Sequence, residues 1–327
     1  MSADKHIMIV AGESSGDALG ADLMLALRAQ QSGVMITGIG GPKMSEAGLA
    51  SIFEMSEIAV MGLREILPRL PKLFKLVDQA VAHALASEPD VLVLIDSPEF
   101  NHRVAKGVKA KRPDLPIICY VAPHVWAWRR GRAKAMATYL RKVLALLPFE
   151  PAFFRAEAGL DCEYVGHPAI EKIASSEEGS AFREQKGIAP DVPVLLVLPG
   201  SRTNEVKRLI GLMGETAAQV AAHHNGLRIV IPVVPHVQGL VVEAVKDWPI
   251  EPVLAFGDEE KRGAFAAATA AIAASGTVSL ELGLAGIPMV VAYKIDPIAA
   301  WSVSRFLKVP TVVLVNLILD RPAVKEF

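Results

Sequence analysis

The chain is poor in cysteine, poor in aromatic residues and almost without net charge, and it has no hydrophobic run long enough to cross a bilayer. Cys119 and Cys162 are the only cysteines among 327 residues. No His or Cys stands at chelating spacing from either, which excludes a disulfide framework and a zinc-finger-like site; both read as core residues. Lysine plus arginine (34) and aspartate plus glutamate (35) nearly cancel, and the formal net charge is -1. That balance excludes a chain organised as a whole around nucleic acid, and a hydrophobic content of 52% excludes disorder. The uncharged stretch from Ala264 to Leu280 is alanine-rich and interrupted by Gly276, so it is not a credible membrane span. The opening MSADKHIMIVAGESS runs straight into a strand pattern and has too short an apolar run for a secretory signal. A soluble protein, at most attached to a surface, is the expectation.

What is present is local. Between Arg103 and Lys142 stand eleven Lys or Arg and one acid, Asp114, which places positive charge on the N-terminal half. Apolar runs bounded by Gly and Pro alternate with longer amphipathic segments, the pattern of parallel sheets wrapped by helices. Strands are predicted at 6–11, 34–39, 90–96, 116–121 and 143–147, and a second series at 193–199, 227–234, 270–274 and 288–293. The stretch from Gly166 to Pro190, with its polar SSEEGS, reads as a linker holding a helical piece. The fold class that follows is α/β, two doubly wound Rossmann-like domains, 1–168 and 169–327, facing a cleft at the carboxyl ends of their strands.

Four strand ends carry candidate chemistry. In AGESSGD, Gly12 and Gly16 bracket Glu13, Ser14 and Ser15 where a helix opens, a turn that lets backbone approach a ligand. It matches neither the Walker loop nor G-x-G-x-x-G, which disfavours NAD, and a turn capped by Ser15 is the competing reading. In DVLVLIDSPEFN, Asp96 ends an apolar strand as a candidate general base, while Asp96 or Ser97 before Pro98 is also a helix-start signature. In LPGSR, Arg202 is suited to bidentate capture of phosphate oxygens, or is a solvated loop residue. In AASGTVSLE, Ser275, Gly276 and Thr277 form a small-residue helix entrance with Glu281 one turn on, as a diphosphate and a ribose require; capping by Ser275 or Thr277 is the alternative. His124, Trp126 and Trp128 sit beside a basic run as sugar or lipid contacts or as buried packing, and nothing completes a metal site around His124. The segment VMGLREILPRLPKLFKL (60–76) mixes large apolar groups with Arg64, Arg69, Lys72 and Lys75, as either a packed helix with snorkelling cations or an interfacial one.

The motifs AGESSGD, GGPKM, AVMGLREIL, IDSPEFN, VWAWR, LPFE, VGHP, LPGSR and ASGTVSLE, in this order, resemble the lipid-A-disaccharide synthases of Gram-negative bacteria over essentially the whole chain. The resemblance implies a metal-independent inverting glycosyltransferase of the GT-B architecture, without a cofactor. Its substrates would be UDP-2,3-diacylglucosamine and 2,3-diacylglucosamine 1-phosphate, joined through a β-1,6 bond with release of UDP. It implies Asp96 as the base, with Arg202, Ser275, Gly276, Thr277, Glu281 and Asn316 on the donor and Glu13, Ser14, Ser15 and Asp17 near the acceptor. Leu63, Leu67, Arg69, Leu70, Lys72, Leu73, Phe74 and Lys75 would meet acyl chains and an anionic membrane surface, at the inner face of the cytoplasmic membrane. The members of that family run several tens of residues further, so the second domain is expected to be truncated. A homodimer is compatible with the resemblance. The rival readings are a UDP-sugar 2-epimerase of the same architecture and a non-catalytic nucleotide-sugar or lipid-binding protein at the membrane surface.

Overall fold

The computed structural model describes residues 5–58, 63–294 and 309–327; the side chains of 63–69 and 172 lie outside that description. The chain forms two compact units, Met1–His167 and Pro168–Phe327.

In the first unit, strands β1 (His6–Ala11), β2 (Met35–Ile39), β3 (Val91–Ile95), β4 (Ile117–Tyr120), β5 (Lys142–Ala145) and β6 (Cys162–Tyr164) form one sheet in the order β2-β1-β3-β4-β5-β6, and every pair is parallel. Alternation along the strands sorts their side chains onto two faces. Ile9, Ala11, Val93 and Ile95 pack against Ala21 and Met24 of α1 (Ser14–Gln30) and Met44 of α2 (Pro42–Glu46). Met8, Val10, Leu92 and Leu94 pack on the other face, against α3 (Leu63–Ala86), α4 (Pro98–Lys111) and Met136 of α6 (Arg132–Met136), which follows the short α5 (Val125–Trp128). Covered on both faces, these strands read as unbroken apolar runs, each fully buried Ile, Leu or Met contributing about 1.5–3 kcal/mol. Helix α7 (Glu150–Ala158) connects β5 to the edge strand β6.

The second unit repeats the plan. Helix α8 (Ser176–Gln185) precedes strands β7 (Val194–Leu198), β8 (Arg228–Val233), β9 (Val253–Phe256), β10 (Ala270–Ala274), β11 (Met289–Ala292) and β12 (Lys325–Glu326), in the order β12-β11-β10-β7-β8-β9. Helix α9 (Thr203–His223) covers Leu195, Val197 and Ile272 with Val206, Leu209 and Met213, and α10 (Gln238–Ala244) adds Val241. Phe182 of α8, Ala264 and Phe265 of α11 (Gly257–Ala267) and Leu282 of α12 (Thr277–Leu284) cover Leu196, Leu198 and Ala273 opposite. A last helix, α13 (Leu314–Leu319), precedes β12.

Two expectations are refined. The units divide at His167/Pro168, inside the stretch 166–190, and its helical piece is α8, which SSEEGS opens: Ser175 Oγ accepts from Glu178 N–H and the Glu178 side chain accepts from Ser175 N–H, a reciprocal cap. Strands β6, β9 and β12 were not expected from the sequence; each lies at a sheet edge, where half the neighbours are missing and a long apolar run is not needed.

One buried side chain sets a pH dependence. His102 of α4 is 7% exposed, stacks edge-on against Tyr139 with ring centroids 5.7 Å apart, and neither ring nitrogen meets a partner among the described residues. Desolvation first, then Arg132 and Lys106 against the opposing Glu99, pushes its pKa down from 6.5 to about 4. Between those values the folded chain binds fewer protons than the unfolded one, so His102 destabilises the fold as pH falls through that window. The variant His102→Phe, which keeps a ring against Tyr139, should raise urea stability at pH 5 relative to pH 7.5 by about 2 kcal/mol compared with the parent. An unchanged pH difference would show that the imidazole is not desolvated as described.

Candidate functional site at the strand-order reversals

In each sheet the strand order reverses at one place, β1 beside β3 and β7 beside β10, and there consecutive helices leave to opposite faces. Such a reversal leaves the carboxyl ends of two neighbouring strands uncovered, where ligands bind in open α/β sheets. AGESSGD and IDSPEFN meet at the first reversal, LPGSR and ASGTVSLE at the second.

At the first, the register pairs Ala11 with Ile95 and Ile95 with Tyr120, so Gly12, Asp96 and Val121 follow in a row. The backbone there is strained. Asp96, Ser97 and Val121 have φ of 57°, 42° and 73°. None is glycine, and for β-branched Val121 this is a true outlier. Asp96 is half-buried; its Oδ2 accepts from Ser15 Oγ at 2.5 Å and its Oδ1 from Ser97 N–H at 3.0 Å. The helix-start signature holds, since α4 opens at Pro98 with Ser97 as its N-cap residue, although the Ser97 side chain makes no capping bond; Ser15 lies inside α1 and donates to Asp96 instead of capping.

The two glycines of AGESSGD are needed for packing within the chain. A Cβ on Gly12 would lie 2.4 Å from Ser97 Cβ, and one on Gly16 would lie 3.2 Å from Asp96 Cβ. They make room for the Asp96–Ser97 turn, so the close approach is of chain to chain. Asp17, expected near the acceptor, is engaged within the chain. It is 3% exposed, and its carboxylate accepts N–H groups from Gly41, Lys43 and Met44 at 2.8–3.0 Å, holding the GGPKM loop onto α1. Ser14 and Ser15 remain exposed and Glu13 half-buried at the same edge.

Beyond β4, His124 is solvent-accessible but crowded; desolvation lowers its pKa, and the field of Asp96 opposes the shift. The two tryptophans divide. Trp126 is buried and donates Nε1–H to Glu150 Oε1 at 3.0 Å, while Glu150 Oε2 accepts from Leu147 N–H, so one carboxyl ties VWAWR to LPFE. Burial pushes the Glu150 pKa up to about 7 against those hydrogen bonds. Trp128 is exposed, with the Arg129 guanidinium 4.4 Å from its ring centre. Cys119 and Cys162 are free and buried, and desolvation pushes both thiols up to about 12, away from any nucleophilic role.

At the second reversal, Ala273 pairs with Leu198, which sets Ser275 and Gly276 beside the turn containing Gly200 and Arg202. Gly200 has φ 113° and lies against Glu205. Arg202 is exposed and pairs with Glu205 at 2.8 Å, and His236 Nε2 donates to the Ser201 carbonyl. Ser275 Oγ donates to the Val312 carbonyl at 3.1 Å, so it does not cap α12; a Cβ on Gly276 would meet nothing within 4 Å among the described residues. Glu281 is half-buried and accepts from Lys261 Nζ at 2.6 Å. Asn316, expected on the donor, is engaged within the chain. At 3% exposed, it donates to Val324 O and Glu326 Oε1 and accepts from Val324 N–H, tying α13 to the strand beyond. Among the described residues no three His, Cys, Asp or Glu side chains converge as metal ligands.

The side chains of Leu63, Leu67 and Arg69 lie outside the described residues. Further along α3, Leu76, Val77, Ala80, Val81 and Ala84 are buried at helical spacing, Leu70 and Leu73 are half-buried, and Lys72, Phe74 and Lys75 face outward. Phe74 is 48% exposed beneath the Arg103 guanidinium, 5.1 Å from its ring centre, and Lys72 reaches Glu57 at 3.2 Å. No helix among the described residues is long and apolar enough to cross a membrane.

A family model described as lipid-A-disaccharide synthetase matches residues 7–327. The chain is 50% identical over 321 residues to a lipid-A-disaccharide synthase of Rhodospirillum centenum, spanning 98% of this chain and 80% of the relative. It is 45% identical over 324 residues to one of Rhodopseudomonas palustris, spanning 99% and 82%. Among solved structures it resembles UDP-GlcNAc 2-epimerase from Neisseria meningitidis bound to UDP-GlcNAc, at TM-score 0.64, 12% identity and coverage of 96% of this chain and 90% of that one. It also resembles Acinetobacter baumannii MurG, at TM-score 0.54, 15% identity and coverage of 99% and 86%. At such identities these two likenesses concern the fold alone.

The glycines give a paired test. Gly12→Ala should lose roughly 1–3 kcal/mol in urea unfolding, because its methyl has nowhere to go, whereas Gly276→Ala should unfold like the parent. Equal stabilities for both variants would show that the Asp96–Ser97 turn does not press on Gly12.

Proposed function

The chain belongs to the lipid-A-disaccharide synthase family, UDP-sugar glycosyltransferases of lipid A biosynthesis, and on that premise we propose how its two strand-order reversals divide the reaction. The substrates in this reading are UDP-2,3-diacylglucosamine and 2,3-diacylglucosamine 1-phosphate. The first unit holds the acceptor sugar at the edge formed by Glu13, Ser14 and Ser15, and the second holds the UDP. Asp96 takes the proton of the acceptor 6-hydroxyl as that oxygen bonds to the donor's anomeric carbon from the face opposite the diphosphate. The carbon–oxygen bond to the diphosphate breaks, UDP leaves with the electron pair, and the new linkage is β.

The observation that carries this reading is the setting of Asp96: a half-buried carboxylate at the end of β3, in a left-handed conformation, already accepting a short hydrogen bond from a serine hydroxyl. A sugar hydroxyl is the same kind of donor. Strain kept at a strand end facing a ligand edge is where a positioned catalytic group belongs.

On the donor side, the charge growing on the diphosphate is met by the N–H groups opening α12 at Gly276–Thr277 and by the Arg202 guanidinium. Ser275 shapes that entrance through its bond to Val312. Glu281 accepts from ribose hydroxyls in competition with Lys261. The outward face of α3, where Lys72, Phe74 and Lys75 stand beside Arg103, rests on anionic lipid, with about 1 kcal/mol per basic residue near the surface. That placement puts the enzyme at the membrane that supplies its diacylated substrates.

With the diacylated donor and acceptor, Asp96→Asn should turn over roughly 10²–10⁴-fold more slowly and bind UDP as the parent does; normal turnover removes Asp96 from the role. Arg202→Ala should weaken UDP binding by roughly tenfold to a hundredfold, and an unchanged affinity removes the phosphate contact. Lys72→Glu combined with Lys75→Glu should lower co-sedimentation with anionic vesicles, and equal sedimentation would refute the interfacial face. Isomerisation of UDP-GlcNAc in place of disaccharide formation would favour the epimerase reading.

A further inference from the structure

The turn carrying Asp96 is held in a conformation that its own residues disfavour. Asp96 and Ser97 are left-handed in succession, and neither is glycine. Pro98 follows at the start of α4, so the helix begins abruptly, its first turn closing through Phe100 and Asn101 N–H groups onto the Ser97 carbonyl. The Asp96 carboxylate braces the turn from one side, accepting from Ser97 N–H and Ser15 Oγ, but these bonds leave the Asp96 carbonyl unheld. Asn101 holds it.

Asn101 is 2% exposed and points back at the strand ends. Its Nδ2 donates to the carbonyls of Asp96 at 2.7 Å and Ile95 at 3.1 Å, with a longer contact to that of Val10 at 3.5 Å. The opposite orientation of the amide would set its oxygen against these carbonyl oxygens, so the network fixes which atom is nitrogen. Its Oδ1 meets no donor among the described residues, so the hydrogen bonds that this side chain makes to the protein run through Nδ2. The gripped carbonyls belong to the ends of β1 and β3, the two strands between which the order reverses.

We propose that Asn101 is a positioning residue for the glycosyl transfer. Its amide keeps the Asp96 peptide left-handed, and the carboxylate therefore stays on the line that brings it to Ser15. Without the grip, φ of Asp96 returns to negative values and the Cα–Cβ bond swings off that line. The inference rests on the reading of Asp96 as the base, and it gives Asn101 no contact with either sugar or the nucleotide. Its effect belongs in kcat and depends on the carboxylate being there to position.

The test is a double-mutant cycle on the full chain with the diacylated donor and acceptor, measuring kcat, donor KM, UDP affinity and thermal unfolding. Asn101→Ala should lower kcat by roughly tenfold to a hundredfold, the effect of a misplaced catalytic group, with UDP affinity within about twofold of the parent. Asn101→Ser, which keeps one donor, should recover part of the loss; Asn101→Asp, whose carboxylate oxygens would face the carbonyls, should fall below alanine. In the Asp96→Asn background Asn101→Ala should change kcat by less than about twofold, because nothing remains to be aimed. The same fractional loss in both backgrounds, or parental kcat for Asn101→Ala, overturns the inference. If Asn101→Ala does not fold, the serine variant carries the same comparison. Normal turnover by Asp96→Asn overturns the base reading, and the inference with it; a disabled Asp96→Asn beside a fully active Asn101→Ala overturns the inference alone.

Discussion

Where the order of parallel strands reverses, two neighbours send their helices to opposite faces, and no helix crosses the gap above their carboxyl ends. The rest of the molecule depends on this constraint. It brings AGESSGD to IDSPEFN through the pairing of β1 with β3, and LPGSR to ASGTVSLE through the pairing of β7 with β10, although 81 residues separate Ser15 from Asp96. Parallel pairing also explains why so little around these gaps is tolerant. Strands buried on both faces have no freedom to shift, so a turn that swells at one strand end must be accommodated at the next. Gly12 lacks a side chain because Ser97 occupies the place where one would be.

Polar residues at the two gaps fall into two kinds, and type alone does not separate them. Asp17, Asn101, Glu150 and Asn316 are buried, and each is hydrogen-bonded to chain segments that would otherwise leave donors or acceptors unmatched. Removing such a group leaves buried partners unsatisfied, and that costs more than the bond contributes on balance. Ser14, Ser15, Asp96, Arg202 and Glu281 keep at least part of their surface open. A motif such as IDSPEFN therefore mixes both kinds: Asp96 looks outward and Asn101, five positions later, looks back at it.

The sheets were legible because their central strands are short uncharged apolar runs, from VLVLI and VLLVL to the alanine-rich AAIAA, and the reversal sites were legible because small residues and an acid or Arg end those runs. Edge strands such as CEY at 162–164 carry no comparable signal, and SSEEGS reads as loop until the Ser175–Glu178 reciprocal bond is seen. The site was less legible than the fold. Asp17 sits among Glu13, Ser14 and Ser15 with the same apparent credentials, and only the folded chain shows its carboxylate turned onto Gly41, Lys43 and Met44. Asn316 likewise shows only in the folded chain that its amide is bonded to Val324 and Glu326. Asn101 was passed over although the spacing held a hint: a polar residue one turn into a helix, on the side that must face the sheet, needs a buried partner.

The ion pairs at the second gap bear on how it can receive a charged ligand. Arg202 with Glu205 is an exposed i,i+3 pair, and Lys261 with Glu281 is partly exposed. Exposed pairs of this kind contribute at most about 1 kcal/mol, because water competes and both side chains lose freedom. A diphosphate offers a guanidinium several anionic oxygens in place of one carboxylate, so Arg202 can turn from Glu205 to a ligand at little cost. In the proposed donor site Glu281 would face a harder exchange, since neutral ribose hydroxyls would compete with a lysine ammonium. Lys261 would have to stay close, its charge still opposite the carboxylate, while the hydroxyls share the remaining lone pairs. Because each pair is weak, neither closes the gap to a ligand.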